Sequence, residues 1–293
     1  KEEKERMEFS NLTSSILNKE LVKLWLLEDI PNFDVGGYVV GDDITEAHIF
    51  FKSNGVFSGK PYAQAVFDLL GVNVEWHFQE GVEIDCNGSK VLLGTVTGKC
   101  CDVLRAERTV LNILSRASGV ATQSRKASNI AKEVGWNGVV AGTRKTTPGF
   151  RQIEKYSLIV GGCAPHRYDL SQMVMLKDNH IWKTGSITKA VQLAREAAGF
   201  AMKIEVECQN QAEALEAGES GADIVMLDNF SSNGLQEIVN TIKGRYPNLL
   251  IEISGGINDS NMREYMIPGV DIISRGSLTH GYSPIDISMK IKH

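Results

Sequence analysis

Charged and polar side chains recur in this 293-residue sequence at one kind of place, directly after short apolar runs. Val139-Val140-Ala141 is followed by Gly142-Thr143-Arg144-Lys145-Thr146-Thr147-Pro148-Gly149. His166-Arg167, Lys177-Asp178-Asn179-His180, Glu205 with Glu207, Asp228-Asn229 and Ser254-Gly255-Gly256 repeat the pattern. Arg144, Lys145, Arg167 and Lys177 combine planar guanidinium forks with ammonium point charges, a set suited to a substrate carrying several carboxylates or phosphates. Glu207 and Asp228 offer hard oxygen ligands that can hold Mg2+, directly or through water, or grip sugar hydroxyls. Ser254-Gly255-Gly256 and Gly276-Ser277 can turn backbone amides and a hydroxyl toward a phosphate. Each feature alone has a plainer reading: paired cations are usually solvated and a Ser-Gly-Gly is usually a turn. Their shared position is the informative point, because polar groups at the C-terminal ends of successive strands mark the active face of a βα barrel.

The histidines are less specific. His166, beside Arg167, can bind a carboxylate or shuttle a proton, with a hydrogen-bonded structural histidine as the rival reading. His180 can bond within its own loop, and His280, after Ser277-Leu278-Thr279, falls near the phosphate-type loops. No histidine pair has HExxH spacing, so a His/Asp/Glu metal cage is not indicated.

The elements needed to present these groups are legible as a change of rhythm. From Gly135 onward, strands are expected at 138–141, 173–176, 202–206, 224–227, 250–253 and 270–273, with helices at 152–160, 187–198, 212–218, 235–243 and 258–266. Ser186 suits the cap of the second helix, and Asp259 the start of the last. Six strands rather than eight predict an incomplete α/β barrel; an open doubly wound sheet is the alternative, though no GxGxxG loop is present. Upstream, a helix at 12–29 stops at Pro31, Tyr38-Val39-Val40 leads into a turn, and strands at 49–59, 72–78, 82–85 and 91–96 surround a helix from Pro61 to 70. This reads as an antiparallel sheet with covering helices. A helix at 102–117 is expected to end at Ser118-Gly119, with a second at 121–134. On its wheel Val103, Val110, Leu114 and Ala117 share a face, and Arg108 lies opposite with Arg105, Asn112 and Ser115. Arg108 is then either solvated or presented to something outside its own domain, such as a partner subunit's pocket. The expected division is an N-terminal α/β domain at 1–120, an incomplete α/β barrel at 121–280, and a tail at 281–293. That tail is too polar for another strand-helix unit and is expected to return to the first domain.

A formal net charge of −5 argues against a general nucleic-acid or anionic-membrane binder while leaving room for a local basic pocket. No apolar run approaches the roughly 20 residues needed to span a bilayer. Residues 1–8 are charged and have neither a signal-peptide core nor the acid-poor character of a transit peptide. The five cysteines form no CxxC and no zinc spacing, as expected for free thiols in a reducing compartment. Cys163 reads as a buried thiol rather than a nucleophile.

Read in order, a series of segments resembles the quinolinate phosphoribosyltransferase family across nearly the whole chain. They are Ala106-Glu107-Arg108-Thr109-Val110-Leu111-Asn112, Ser118-Gly119-Val120-Ala121-Thr122, Gly142 to Gly149, Glu154-Lys155-Tyr156, Gly161-Gly162, His166-Arg167, Lys177 to His180, Glu205-Val206-Glu207, Leu227-Asp228-Asn229, Ser254-Gly255-Gly256 and Thr279-His280. The resemblance implies an N-terminal α/β domain, a C-terminal incomplete α/β barrel, and a head-to-tail homodimer that can assemble into a hexamer as a trimer of dimers. It implies a decarboxylating transfer in NAD biosynthesis: quinolinate and phosphoribosyl pyrophosphate give nicotinate mononucleotide, pyrophosphate and CO2, with Mg2+ as the ion. It also implies a cytoplasmic location, and in a eukaryote a nuclear one as well. By matched motif, Arg108 is the arginine donated to the neighbouring subunit's quinolinate site. Arg144, His166, Arg167 and Lys177 bind quinolinate, with Lys145 near both substrates. Lys145, Lys177, Glu207 and Asp228 make up the catalytic set, the two acids lying around the ribose and Mg2+-pyrophosphate. Ser254, Gly255, Gly256 and Gly276 contact phosphate, with His280 close by.

Two stretches depart from the family pattern. Cys163-Ala164-Pro165 replaces a more glycine-rich loop, and Arg275 stands where a small or apolar residue is commoner, either strengthening phosphate binding or facing solvent. Three other readings compete: a nicotinate phosphoribosyltransferase without decarboxylation, a catalytically silent phosphoribosyl-metabolite binder, and a generic barrel enzyme using Lys177 as a Schiff-base lysine.

Overall fold

The computed structural model describes residues 8–292; the charged N-terminal stretch read from the sequence lies almost wholly outside them. After a 3-10 turn at Phe9–Leu12 come α1 (Ser15–Asp29), α2 (Val35–Val40), β1 (Ile44–Phe51), β2 (Gly55–Val56), α3 (Lys60–Leu69), β3 (Asn73–Trp76), β4 (Glu83–Ile84), β5 (Val91–Lys99) and α4 (Cys100–Glu133). Then follow β6 (Val139–Ala141), α5 (Arg151–Gly161), β7 (Val174–Leu176), α6 (Asp178–Thr184), α7 (Ile187–Ala198), β8 (Ile204–Cys208), α8 (Gln211–Glu219) and β9 (Ile224–Asp228). The chain ends with α9 (Leu235–Arg245), β10 (Leu250–Ser254), α10 (Met262–Tyr265), β11 (Ile272–Ser274), α11 (Ser277–His280) and β12 (Ile287–Ile291). Among the described residues no helix is long and apolar enough to cross a membrane.

The chain divides into two units. The first comprises residues up to Arg125, Thr147–Gly162 and Tyr282 onward; the second comprises Lys126–Thr146 and Cys163–Gly281. In the first, an antiparallel sheet has the order β12-β1-β5-β3, with β2 and β4 paired separately. Alternation along β1 buries Ala47, Ile49 and Phe51 on one side, as a half-covered strand requires. The final segment is a strand: Ile287 and Met289 are buried, and Ala47 to Phe51 pair with Ile291 to Ile287. Tyr38-Val39-Val40 belongs to α2, whose first turn is capped by the Asp34 carboxylate accepting from Gly37 N at 2.8 Å.

The expected break at Ser118-Gly119 does not occur, and α4 runs unbroken for 34 residues. Glycine inside a helix costs about 1 kcal/mol relative to alanine, so another requirement holds it there. A β-carbon on Gly119 would lie 2.6 Å from Ser283 O and 2.6 Å from Tyr282 Cδ2. Gly119 lets the C-terminal segment approach the helix. Ser118 is buried, and its hydroxyl accepts from Ser58 N at 3.1 Å and bonds Ser58 O at 3.3 Å.

The second unit holds a parallel sheet in the order β6-β11-β10-β9-β8-β7. All six expected strands are present, each within two residues of its expected bounds. β6 and β7 are the outer strands of the sheet, an incomplete barrel in which β9 reads as the continuous apolar run of a doubly covered parallel strand. The Cys163–Pro165 stretch has its own function in the backbone. Ala164 forms a parallel bridge with Ala141, donating to Val140 O at 2.8 Å and accepting from Gly142 N at 2.9 Å. This rudimentary strand delivers His166 and Arg167 at the same level as the ends of its neighbours. The helix expected at 258–266 is a single turn, Met262–Tyr265, and Asp259 lies in the preceding loop. Ser186 caps α7 by accepting from Lys189 N at 3.1 Å.

Candidate active site

In the second unit the strand ends surround a cavity of about 640 Å³. Its lining includes Arg144, Lys145, His166, Arg167, Lys177, Glu207, Asp228, Ser254, Gly255 and Gly256. Gly276 and His280 lie at its edge: a β-carbon on Gly276 would be 2.8 Å from His280 Nε2 and 2.9 Å from Lys145 Cδ. Arg108 belongs to the first unit, is exposed on α4, and is not among the residues lining this cavity.

The backbones carrying the cations are tied down while their heads face the cavity. Lys145 N donates to Thr143 Oγ1 at 3.0 Å, and Lys145 O accepts from Thr279 Oγ1 at 2.6 Å. Lys177, the residue before α6, donates its N–H to His180 Nδ1 at 3.1 Å. His180 is therefore a local brace. Arg167 N donates to His166 Nδ1 at 2.7 Å, and its guanidinium reaches Met173 O at 3.2 Å. Burial pushes the Arg167 guanidinium down from its ordinary value, and the nearby Arg144 adds to the effect. Two cations so close predispose the site to an anion that neutralises both.

The acidic half is just as crowded. Lys177 Nζ pairs with Glu207 Oε2. Asp228 is held above the usual aspartate range by burial and then by the Glu207 charge, while Lys177 and Lys145 oppose the shift. Asn229, in the left-handed region at φ 57°, donates from its amide to Asp228 and from its backbone N to Ser254 O at 2.9 Å. Gly255, at φ 95°, leaves no room for a β-carbon, which would fall 2.2 Å from Asn229 Oδ1. The serine-glycine turn is thus packed against the aspartate turn.

Sequence reasoning missed a deeper layer. Met175, Met226, Glu252 and Ser274 also line the cavity. All four stand two residues before a group already singled out: Lys177, Asp228, Ser254 and Gly276. In a strand such residues share a face, so counting back by two would have found them. Glu205 and Glu252 are wholly buried, and His166 Nε2 lies 3.0 Å from Glu252 Oε2 and 3.9 Å from Glu205 Oε2. Burial, followed by the Glu252 charge, holds the Glu205 carboxyl well above the ordinary glutamate range. The fold therefore assembles a His/Glu/Glu trio, with ligand-type atoms within 4.8 Å of one another, that the sequence did not indicate.

Arg275 does not face solvent. It is 3% exposed and pairs with Asp259 at 2.7 Å, with further contacts to Met262 Sδ and Ser277 Oγ. It braces the loop after β10 against the start of α11. None of the five cysteines is in a disulfide, and Cys163 is buried.

Comparison with known proteins places this architecture. Residues 33–118 match the profile described as the quinolinate phosphoribosyl transferase N-terminal domain, and residues 120–290 match the C-terminal domain. The nicotinate-nucleotide pyrophosphorylase [carboxylating] of Dictyostelium discoideum is 47% identical over 98% of this chain and 99% of its own length. The Homo sapiens protein of that name is 43% identical over 92% of this chain and 90% of its own. Among solved structures, the Francisella tularensis nicotinate-nucleotide pyrophosphorylase superposes with a TM-score of 0.87 at 29% identity, covering 98% of this chain and 100% of that one. NadC from Streptococcus pyogenes gives 0.86 at 34% identity, covering 96% and 98%. With the two family domains matched over residues 33–118 and 120–290, this chain belongs to the quinolinate phosphoribosyl transferase family.

Proposed function

We propose that this chain transfers the phosphoribosyl group of phosphoribosyl pyrophosphate to quinolinate, releasing pyrophosphate and CO2 and leaving nicotinate mononucleotide. The observation that carries the reading is the convergence of Arg144, Lys145, Arg167 and Lys177 on one cavity opposite Glu207 and Asp228. Both substrates are anionic, so the cations offset their mutual repulsion. Arg144 and Arg167 take the two ring carboxylates, and Lys145 lies between the substrates. Glu207 and Asp228 face the ribose, whose C1 gains positive character as pyrophosphate departs and the pyridine nitrogen attacks. The quaternised ring then accepts the electron pair released when the 2-carboxylate leaves, and C2 takes up a proton. Ser254, Gly255, Gly256 and Gly276 hold phosphate, with His280 beside them.

The acid pair also fits a hard divalent cation. Asp228 is pushed up by burial and then by its neighbour Glu207, and a shared Mg2+, bound directly or through water, would relieve that repulsion. When bound, the ion would supply charge neutralisation on the departing pyrophosphate. Arg108 is assigned to the quinolinate site of a second subunit in a homodimer, with a hexamer of three dimers as the further assembly. The cytoplasm is its proposed compartment, with the nucleus as well in a eukaryote.

Incubation with quinolinate, phosphoribosyl pyrophosphate and Mg2+ tests the reaction. Equal, enzyme-dependent yields of nicotinate mononucleotide and CO2 are expected. Turnover of nicotinate but not quinolinate, or no product from folded protein, would overturn it.

A further inference from the structure

Both ring nitrogens of His166 are committed inside the protein. Nδ1 accepts from Arg167 N at 2.7 Å. An acceptor nitrogen carries no proton, so the imidazole proton sits on Nε2, directed at Glu252 Oε2 3.0 Å away. Neither nitrogen is left to meet a substrate carboxylate. The same tautomer argument bears on the His/Glu/Glu trio: Nε2, its only ring nitrogen near the acids, has no lone pair to give a metal.

His166 also holds an uncommon backbone conformation. Its φ is 57°, in the left-handed region that a non-glycine residue occupies at a cost and keeps only when its surroundings fix it. Glu252, on β10, is the group that fixes it. The carboxylate anchors the ring, the ring anchors the N–H of Arg167, and Arg167 lines the cavity. His180 uses the same device on Lys177 N, so a histidine brace stands behind two of the four cations.

We propose that Glu252 is a positioning residue for the binding of the anionic aromatic substrate, acting through His166 on Arg167, and that His166 braces the site rather than touching the substrate. The proposal rests on the reading of this cavity as a quinolinate site. It changes the role of His166 and gives one to Glu252, the one acid of its strand.

The first test needs no turnover. Long-range ¹H–¹⁵N NMR of the labelled, ligand-free protein, with the His166 signals assigned by their loss in His166→Phe, should show the Nε2–H tautomer. In Glu252→Leu that pattern should be lost. An Nδ1–H or doubly protonated ring in the native protein would overturn the proposal, whatever the chain catalyses.

Kinetics supply the second test. Glu252→Leu should raise KM for quinolinate about 10-fold to 100-fold, the range for losing a charge-assisted hydrogen bond, and leave KM for phosphoribosyl pyrophosphate within about twofold, well under a factor of ten in affinity. Glu252→Gln keeps an oxygen acceptor for Nε2–H and should recover most of the loss. Adding Glu252→Leu to His166→Phe should cost little more than His166→Phe alone, because both sit on one chain of contacts. Equal rises in both KM values, a Gln variant as poor as the Leu variant, or full additivity would each show a merely structural acid and overturn the assignment. If the native chain turns over no quinolinate, the functional reading fails by itself, and the NMR result still decides the brace.

Discussion

Each unit shields a glutamate head from water, and the two are treated in opposite ways. In the first unit Glu80 accepts from Gly59 N at 2.5 Å, Lys60 N at 3.0 Å and the Tyr156 hydroxyl. It sits at the start of α3, where a carboxylate also meets the positive end of the helix. Burial pushes its carboxyl up, but these donors limit the rise to about 7. In the second unit the buried Glu205 carboxyl meets the Glu252 carboxyl, which raises it further, and among the described residues Glu252 Oε1, Arg144 Nε and Ser274 Oγ have no hydrogen-bond partner. An unsatisfied buried group costs about 1–3 kcal/mol, and more when charged. The Glu80 network closes its own hydrogen bonds; the cavity leaves donors and acceptors open, as a site built for a polar ligand must.

The comparison can be broken in four places. Arg144→Ala should lower kcat/KM for quinolinate about 10³-fold, equivalent to about 4 kcal/mol, and barely move the melting temperature. Steady-state kinetics beside a thermal scan would show whether activity and stability separate in this way. Glu80→Ala should do the reverse. It strands two backbone amides and a buried phenol, so unfolding by urea should show a loss of about 3 kcal/mol, with kcat/KM of the folded fraction unchanged. A stable Glu80 variant with poor turnover would erase the distinction between the units. Gly119→Ala should destabilise by about 1–2 kcal/mol despite alanine's better helix propensity, because the added methyl meets Ser283 and Tyr282. A neutral or stabilising result would mean that the C-terminal segment yields easily.

The last test reads a slope rather than a single loss, and it concerns pH. Glu80 has a folded value of about 7 against an ordinary 4.5. Between those values the folded chain holds a proton that the unfolded chain has released. The Glu80 contribution therefore falls as pH rises from about 4.5 to about 7 and levels off above it. Glu80→Gln should flatten that part of the stability curve; an unchanged slope would assign it to other groups.

Much of the site was legible because its chemistry sits at strand ends, where an apolar run meets a charged turn. The deeper layer was harder. Glu252 lies within Leu250-Ile251-Glu252-Ile253, a stretch that announces a buried strand and hides its one acid. Only half of the His166 contacts are local, since Nδ1 bonds the next residue while the partner of Nε2 is on another strand. Arg275 resisted for the same reason: its partner Asp259 is a loop residue placed by tertiary structure. In the fold, Ser118-Gly119 read as a stop because close approach of another segment leaves no trace in the helix's own periodicity. The last strand did carry a signal, the alternation Ile287-Ser288-Met289-Lys290-Ile291, which its polar average obscured. The bridge at Ala164 had none, because one pair of hydrogen bonds needs no pattern.

That last strand bears on the order in which the molecule can be made. Ala47 pairs with Ile291, so the edge of β1 stays open until the whole of the parallel sheet has left the ribosome. Pairings so distant along the chain form slowly, and an uncovered strand edge recruits other chains. The antiparallel sheet is begun first and sealed last, and during synthesis β1 is the segment most in need of a chaperone's cover.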